Sequence, residues 1–393
     1  MKILVKIILL SGLILSLAGA SEQIKAIKVP GNIGKIGPLS KAWLSVEYTD
    51  VILYPHTTTK KINPEANIPE ENLKAKKVRV KALYDGKNIS LLLEWKDSTK
   101  NTQKDCCTRT YADGFAFQFP TDYSDVMKLP YISMGSKDRS VVVHLRKASE
   151  QVSKPKSNVH FHSLEEYYDT SYTTVQDNED VENGRTFVME GFRSIVEIKD
   201  KNASGVMDMV YKEGVWKGTL SRELKTEYLD LEKGAFPISL ITWDGNVSNS
   251  DGIEYLSPWI GVKLVGERGG YELLDSLTTQ VDGYVANGKR LAVENCAACH
   301  NFTGSAKTLV NMAPDLSNVG GYSTLQYLKE SMLDSSAVVV PNYNPTAEED
   351  FPWYTLDENG NLASTMPSYH WMDEKSINDL VAFFSSLKAQ SEE

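Results

Sequence analysis

Residues 295–300, with the sequence NCAACH, hold two cysteines and a histidine at a spacing that few kinds of site use. Cys296 and Cys299 are separated by two residues, and His300 follows the second cysteine directly. This spacing is typical of covalent haem attachment, in which two thiols bond to the two vinyl groups of one haem and the adjacent histidine ligates the iron. We therefore predict one c-type haem, bound through Cys296 and Cys299, with His300 as an axial ligand of the iron.

The Cys-x-x-Cys spacing has two other common uses, a thiol redox pair and half of a zinc site. A redox pair is expected where a strand leads into a helix in a βαβ unit, and the surrounding pattern is helical instead. A structural zinc ion needs about four ligands. The only other histidine in this part of the sequence is His370, and no cysteine follows Cys299. Haem attachment is therefore the favoured interpretation.

A six-coordinate haem iron also needs a ligand from further along the chain. Met366, in the stretch STMPSY, precedes the last predicted helix, and Pro367 stiffens its loop. A thioether ligand raises the reduction potential of the iron, so Met366 is the predicted sixth ligand and His370 the main alternative. On the other side of the haem, the Pro314 carbonyl is expected to accept the Nδ1 proton of His300. Three other methionines are weaker candidates for the sixth ligand: Met312, Met332 and Met372.

The sequence around these ligands has the periodicity of helices. Residues 281–299 place apolar and small residues at helical intervals, and residues 323–333 begin with Ser323 as a possible N-cap. Residues 373–388 begin with acidic residues, end with a lysine and have one apolar face. These features predict an all-α domain over residues 278–390.

The preceding part of the chain has a different pattern, with apolar residues alternating as they do in strands. Residues 76–83 (KKVRVKAL) and 89–95 (ISLLLEW) flank an Asp-Gly turn and predict a hairpin. The same pattern recurs in five further segments: GFAFQFP, RSVVVHL, GRTFVMEGF, GVWKGTLSREL and PISLITWDG. Many short strands with such turns predict an antiparallel β-sandwich over residues 21–272, with the polar residues 150–183 forming an excursion on its surface.

The first twenty residues are typical of a secretory signal peptide. Lys2 and Lys6 precede an apolar run at residues 7–17, and Ala-Gly-Ala precedes Ser21. The run is short for a membrane span, so a retained anchor is the less favoured alternative, and no other stretch has transmembrane length. We therefore expect export to the periplasm and no integral membrane anchor.

The net charge and the number of cysteines indicate which kinds of partner to expect and whether the fold depends on disulfides. The formal net charge is −10, which argues against nucleic-acid binding and suits a partner with a basic docking face. The chain has four cysteines, fewer than is usual for an exported protein of this size that depends on disulfides. Cys106 and Cys107 are adjacent, and a bridge between neighbours is strained, so both are expected to be free thiols.

The C-terminal motifs resemble class I cytochrome c. The resemblance rests on GKRLAVENCAACH, APDLSNVG, MPSY and INDLVAFFSSL, which occur in this order within residues 278–388. It implies a six-coordinate haem that transfers electrons. A haem enzyme such as a peroxidase needs an open position on the iron, which Met366 argues against.

The larger part resembles the haem domain related to ethylbenzene dehydrogenase. The resemblance rests on VRVKALYDGKNISLLLEWKDST, YADGFAFQFP, PYISMGSKDRSVVVHLRKA, GVWKGTLSREL and PISLITWDGN, followed by SPWIGVKL. It implies a β-sandwich that holds a non-covalent haem b between a methionine and a lysine. It also implies a γ subunit that relays electrons between molybdenum and iron–sulfur subunits and a soluble cytochrome or other carrier, with catalysis in a partner subunit.

The haem b ligands implied by this resemblance match only in part. Met134 in YISMGS matches the axial methionine, and Gly135 would let the backbone approach the porphyrin. Glu254 stands where the family has its lysine, and a carboxylate is a poor ligand for low-spin haem b. The alternative is that the sandwich has no haem and serves as a docking or ligand-binding module. Four residues are possible substitutes for the lysine: Lys263, His144, His160 and His162.

Overall fold

A computed structural model describes residues 23–56, 73–102, 112–132, 135–148, 184–191, 194–245, 254–307, 312–339 and 353–391. The described residues form a β domain followed by a predominantly helical domain, which confirms the predicted fold class. The predicted signal peptide, the surface excursion at residues 150–183, and Cys106 and Cys107 lie outside the described residues.

The β domain contains thirteen described strands. They are β1 (Ile24–Lys28), β2 (Thr49–Pro55), β3 (Lys76–Tyr84), β4 (Asn88–Lys96), β5 (Gly114–Pro120), β6 (Val141–Lys147), β7 (Arg185–Met189), β8 (Ile195–Glu197), β9 (Val206–Lys212), β10 (Val215–Glu223), β11 (Ala235–Trp243), β12 (Tyr255–Leu256) and β13 (Ile260–Leu264). Their order is β8-β7-β6-β5-β11-β12-β2-β3-β4-β10-β9, with β13 beside β11 and β1 between β13 and β3. β2 and β11 each pair with strands of both halves, so the chain turns from one half of the sandwich to the other along these two strands.

The predicted hairpin is present and its turn has a clear local cause. β3 and β4 pair antiparallel, with Tyr84 opposite Ile89. The Asp85 carboxylate accepts hydrogen bonds from the backbone N–H groups of Lys87 (2.8 Å) and Asn88 (2.6 Å). Gly86 has a φ of 96°, a conformation that glycine adopts without steric cost.

One strand departs from the predicted antiparallel arrangement. β1 runs parallel to both of its neighbours, β13 and β3. It buries Ile24 and Ala26 on one face, which is the alternation expected of a strand. The alternation of apolar and polar residues shows which face of a strand is buried but not in which direction the strand runs. The parallel pairing of β1 could therefore not be predicted from the pattern.

The sandwich core is rich in aromatic residues, including tryptophans. Trp216, Trp243 and Trp259 are all buried. Their indole N–H groups donate to the Asp113 carboxylate, the Ala112 carbonyl and the Pro130 carbonyl at 3.0, 3.0 and 2.9 Å. Burial of a large ring with its single donor satisfied is favourable, which explains their use as packing residues.

The helical elements are α1 (Lys201–Ser204) within the β domain, then α2 (Tyr271–Thr278), α3 (Val285–Asn295), α4 (Val319–Tyr322), α5 (Leu325–Leu333) and α6 (Glu374–Ser386). The expected acidic start of α6 is present, since the Asp373 side chain accepts from Ser376 N at 2.7 Å. The prediction of Ser323 as an N-cap was wrong by one residue. Thr324 caps α5, accepting from Tyr327 N at 3.1 Å, and Ser323 ends α4. No described helix is long and apolar enough to cross a membrane.

The helical C-terminal domain also contains a short hairpin that the sequence pattern did not predict. β14 (Tyr354–Leu356) and β15 (Leu362–Ser364) form a hairpin before α6. The Asp357 carboxylate closes its turn by accepting from the backbone N–H groups of Asn359 and Asn361 at 2.8 and 2.7 Å. Each strand has only three residues, which is too short for alternation to reveal it.

Helices α3 and α6 pack closely because a glycine lies at their crossing. A Cβ atom on Gly288 would come within 1.9 Å of the Asp379 carbonyl oxygen. The buried Asp379 carboxylate accepts from Tyr284 N (2.6 Å) and Asn287 Nδ2 (2.7 Å), which ties the start of α3 to α6. These hydrogen bonds, with Lys375, lower the pKa of Asp379 to about 2. The end of α3 is thereby held in a defined place.

The two domains are in direct contact. The Arg139 guanidinium, between β5 and β6, donates two hydrogen bonds of 2.7 Å to the Glu330 carboxylate of α5. Gly321 of α4 lies against the Tyr54 ring of β2, so that a Cβ atom there would come within 2.3 Å of the ring. The helical domain is therefore fixed against the sandwich at α4 and α5.

Candidate functional site

A cavity of about 210 Å³ in the helical domain brings together the predicted haem c ligands. Cys296, Cys299 and His300 reach it from the end of α3, and Met366 reaches it from the segment between β15 and α6. The remaining lining is largely apolar and includes Leu316, Val319, Leu328, Val338, Trp353 and Phe384. Apolar walls with a few convergent donors are the expected environment of a porphyrin ring.

A tight turn after α3 presents both thiols to the cavity. Cys296 N donates to the Ala292 carbonyl at 2.8 Å, and Cys299 N and His300 N both donate to the Cys296 carbonyl at 3.1 and 2.9 Å. Burial, followed by the neighbouring Cys299, raises the pKa of Cys296 to about 12. A redox-active thiol needs a lowered pKa and access to solvent, so this environment argues against a thiol redox pair.

The imidazole of His300 is held in the form that binds a metal. Its Nδ1 donates to the Pro314 carbonyl at 2.8 Å, as expected from the sequence. Burial lowers the pKa of His300, so the ring is neutral. With the proton on Nδ1, the lone pair on Nε2 is free for the iron.

The Met366 backbone is anchored on both sides by serine hydroxyls. Ser335 Oγ donates to the Met366 carbonyl at 2.7 Å, and Met366 N donates to Ser364 Oγ at 3.1 Å. The hairpin that carries Ser364 therefore fixes the loop. His370, the main alternative, is exposed, does not line the cavity, and pairs through Nδ1 with Ser368 Oγ at 3.1 Å.

The weaker methionine candidates are separated by the structure. Met312 and Met332 also line the cavity, whereas Met372 is not among the lining residues. Met332 is a buried residue inside α5, packed in the helical core.

The zinc interpretation has no support in the described residues. The one cluster of three possible metal-binding side chains among them is Asp97, Asp113 and Asp244, which lies in the sandwich.

In the sandwich, Met134, His160 and His162 lie outside the described residues. Gly135, beside Met134, has a φ of 70°, and a Cβ atom there would come within 2.8 Å of the Arg139 carbonyl and 2.9 Å of the Met189 carbonyl. The turn itself therefore requires glycine at this position, independently of any approach to a porphyrin.

Lys263 is not available as a substitute for the missing lysine ligand. Its ammonium group is buried and donates to the carbonyls of Gly234 (3.0 Å), Glu267 (2.7 Å) and Gly269 (3.2 Å). An ammonium group has three donors, and all three are used here. Lys263 therefore organises the turns around β13, and its proposed role as a ligand is wrong for this conformation.

His144 is likewise engaged through both ring nitrogens. Nε2 accepts from Arg222 at 2.7 Å, and Nδ1 donates to the Ser204 carbonyl at 2.9 Å, with Thr186 Oγ1 at 2.8 Å. Burial, and then the Arg222 charge, lowers the pKa of His144 well below its usual value. His144 is a neutral core residue with no nitrogen left for iron, so this substitute is also excluded.

Glu254 lies just before β12 and beside the end of β2. Its carbonyl accepts from His56 N at 2.9 Å, just beyond the end of β2. Its side chain is half-buried. This contact introduces His56, a residue that sequence reasoning missed because no motif or spacing marks it.

His56 connects the sandwich to the cavity in the helical domain. Its Nε2 is 2.9 Å from the Tyr131 hydroxyl, and its ring meets the Tyr322 ring edge-on at 5.1 Å. Tyr131 in turn packs against the Tyr327 ring at 5.2 Å, and both tyrosines line the cavity. Tyr131 of the sandwich therefore contributes to the wall of the predicted haem c site.

Comparison with protein families gives two matches along the chain. The model of the ethylbenzene dehydrogenase family matches residues 22–254, which is more than half of the chain, and the cytochrome c model matches residues 285–388. These matches confirm both resemblances drawn from the order of the motifs. A search of curated proteins found no match.

Solved structures give only a distant likeness. A putative carbohydrate-binding protein from Bacteroides uniformis has 8% identity and a TM-score of 0.32, over 61% of this chain and 98% of its own. A family 9 carbohydrate-binding module from Caldicellulosiruptor kristjanssonii, in complex with cellotriose, has 8% identity and a TM-score of 0.31, over 63% of this chain and 95% of its own. At these scores the likeness supports no inference about this chain.

Proposed function

Since the chain belongs to the ethylbenzene dehydrogenase family and carries a cytochrome c domain, we propose that it is a γ-type electron-transfer subunit of a periplasmic molybdenum enzyme. In this role it relays electrons between the molybdenum and iron–sulfur subunits and a soluble carrier such as a cytochrome. The general part, an electron-transfer protein with haem c, follows from the cytochrome c domain. The partner enzyme and the periplasmic location go beyond this domain and are part of the proposal.

The single observation that carries the electron-transfer role is the convergence of four donors on one apolar cavity. Cys296 and Cys299 would attach the haem, and His300 and Met366 would ligate its iron. The bound haem supplies a one-electron couple. The protein orients His300 through Pro314, and its apolar walls keep water from the iron.

The two proposed iron ligands of haem c argue against substrate chemistry at this haem. An iron held by both His300 and Met366 would offer no position for a substrate, so we assign this domain to electron transfer. The four cysteines of the chain include the two haem attachment residues, which leaves too few to bind iron–sulfur clusters. Catalysis is therefore assigned to a partner subunit.

The sandwich is proposed to hold a haem b with Met134 as one ligand. Support comes from the family match and from Tyr131, three residues before Met134 in the sequence, which lines the haem c cavity. The second ligand comes from a residue other than Lys263 and His144, since the donors of both are in use.

The second candidate is a sandwich without haem, which docks the cytochrome c domain onto its partner. The favouring observation is Glu254 at the lysine position, together with the engaged side chains of Lys263 and His144. In this case the covalent haem carries all of the electron transfer.

A pyridine haemochrome assay on the full-length protein, produced in a periplasm that matures c-type cytochromes, distinguishes these two functions. One c haem and one b haem per chain supports the relay, and one c haem alone supports the docking module. Absence of covalent haem contradicts both. Copurification from the native host then identifies the partner, and a molybdenum-containing complex is the expected result.

A further inference from the structure

The wall of the haem c cavity is completed by a residue of the other domain. Tyr131 belongs to the sandwich, in the segment between β5 and β6, yet it lines the same cavity as His300 and Met366. Its side chain is buried, with 7% of its surface exposed. A self-contained cytochrome c domain does not need such a contribution.

Tyr131 is held in this position from two directions. Its hydroxyl is hydrogen-bonded to His56 Nε2 at 2.9 Å on the sandwich side. Its ring packs against Tyr327 of α5 at 5.2 Å on the cytochrome side. Its carbonyl accepts from Gly135 N at 3.1 Å, which restrains the backbone of Tyr131. Tyr131 is thus restrained through its hydroxyl, its ring and its backbone, and it forms an ordered part of the cavity wall.

Helix α5 fixes the register of this contact. Tyr327 and Glu330 are one turn apart on α5, and Glu330 forms the two-pronged ion pair with Arg139. Ser136 N and the Arg139 carbonyl are hydrogen-bonded at 3.1 Å, so Arg139 belongs to the same loop as Tyr131. Two contacts between one helix and one loop define their relative position.

We propose that Tyr131, held by His56, is a positioning residue of the haem c site that shields the haem from water on the side facing the sandwich. This inference rests on the proposed function and adds to it a dependence of the haem c potential on the sandwich. The oxidised iron carries one more positive charge than the reduced iron, and water stabilises the more highly charged state. A wall that keeps water out therefore raises the reduction potential.

The test uses the full-length protein with its covalent haem and measures the midpoint potential of haem c by spectroelectrochemistry. Tyr131→Ala opens the wall, and we expect the ferrous-to-ferric ratio at a fixed applied potential to fall by about tenfold, or about 59 mV for a one-electron couple. The absorption band that reports the bond between Met366 and iron should remain. The shift is then due to exposure and not to loss of a ligand.

Two conservative variants isolate the hydrogen bond. Tyr131→Phe and His56→Phe each remove the hydrogen bond between the Tyr131 hydroxyl and His56 Nε2 but keep an aromatic ring at both positions. We expect each variant to lower the ferrous-to-ferric ratio of haem c by less than Tyr131→Ala does. The double variant should shift no further than the larger single shift, because both changes remove the same bond.

The matched control is Tyr211→Phe in β9. Its hydroxyl donates to the Asp97 carbonyl at 3.1 Å, and Tyr211 is not among the residues that line the cavity. This variant should leave the potential unchanged. An unchanged potential in Tyr131→Ala, with covalent haem present, overturns the inference while the proposed function stands. If that variant does not fold, the double-variant cycle decides, and additive or absent shifts overturn the inference. Absence of covalent haem in the unmodified protein contradicts the proposed function itself.

Discussion

The helical domain and the sandwich differ in how their candidate haem ligands are arranged along the chain. In the helical domain, Cys296, Cys299 and His300 lie within five residues, and the structure adds Met366 at the same cavity. In the sandwich, the candidates are scattered, and the structure gives Lys263 and His144 other partners. Covalent attachment imposes a local spacing, whereas a non-covalent haem needs only donors that meet in space.

The two domains also differ in how they use buried acids. Asp379 in α6 accepts hydrogen bonds from Tyr284 and Asn287, and its pKa falls to about 2. Asp113 in the sandwich is completely buried, and its burial raises its pKa to about 6 despite hydrogen bonds from Asn101 and Gly245. Asp379 is thus stabilised in its ionised form, whereas the burial of Asp113 favours its protonated form.

The largest expected effect is loss of all covalent haem when both thiols of the motif are removed. The variant Cys296→Ser with Cys299→Ser has no group that forms a thioether, so haem should be lost in acid–acetone extraction and in denaturing electrophoresis. Cys106→Ser, the same chemical change outside the motif, should retain covalent haem. Haem that survives extraction in the double variant contradicts the assignment of the attachment residues.

Met134→Ala tests the sandwich side of the comparison. If Met134 ligates a haem b, this variant loses the extractable haem and keeps the covalent one. The sandwich should also melt at a lower temperature without its haem, because a bound ligand stabilises the folded state by mass action. The measurement is the b-type α band of the reduced protein before and after extraction. An unmodified protein with no extractable haem makes the sandwich a docking module.

Met366→Ala changes the iron ligands without affecting attachment. The charge-transfer band of a methionine-ligated ferric haem should disappear, and the potential should fall by part of the roughly 0.8 V range that axial ligands span. Met332→Leu, which alters another methionine of the cavity wall, should retain the band. Retention of the band in Met366→Ala assigns the ligand to another residue, and Met312 is then the first to test because it also lines the cavity.

The smallest effect is a difference in pH dependence between the domains. The folded pKa of Asp113 is about 6, above its unfolded value, so the sandwich should gain stability as the pH falls from 7 to 5. The expected gain is at most about 2 kcal/mol. Asp379 contributes stability above its unfolded pKa, and this is lost only as the pH falls towards 2. It therefore changes nothing between pH 7 and 5.

Denaturant unfolding checks this difference, with tryptophan fluorescence for the sandwich and haem absorbance for the helical domain. The fluorescence midpoint should rise at pH 5 relative to pH 7, and the haem midpoint should not follow it through Asp379. Asp113→Asn is uncharged at both pH values and should remove this contribution from the sandwich. A sandwich midpoint with the same pH dependence in this variant refutes the role of Asp113.

Local patterns account for the parts of the fold that were predicted correctly. The hairpin of β3 and β4 followed from alternation and an Asp-Gly turn, and the α6 helix followed from Asp373 and one apolar face. The parallel pairing of β1 and the hairpin of β14 and β15 were missed. Strand direction depends on distant partners, and a strand of three residues is too short to show a period.

By itself, the sequence determined the haem c attachment site and the order of the two domains. Both depend on residues that are close together in the sequence. The two thiols must lie one turn apart, and strands and helices differ in the period of their apolar residues. Only the tertiary structure decided that Lys263 and His144 are engaged, and that His56 and Tyr131 extend the haem c site into the sandwich. These contacts join residues that are far apart in the chain. They depend on how the whole fold packs, so no local spacing in the sequence predicts them.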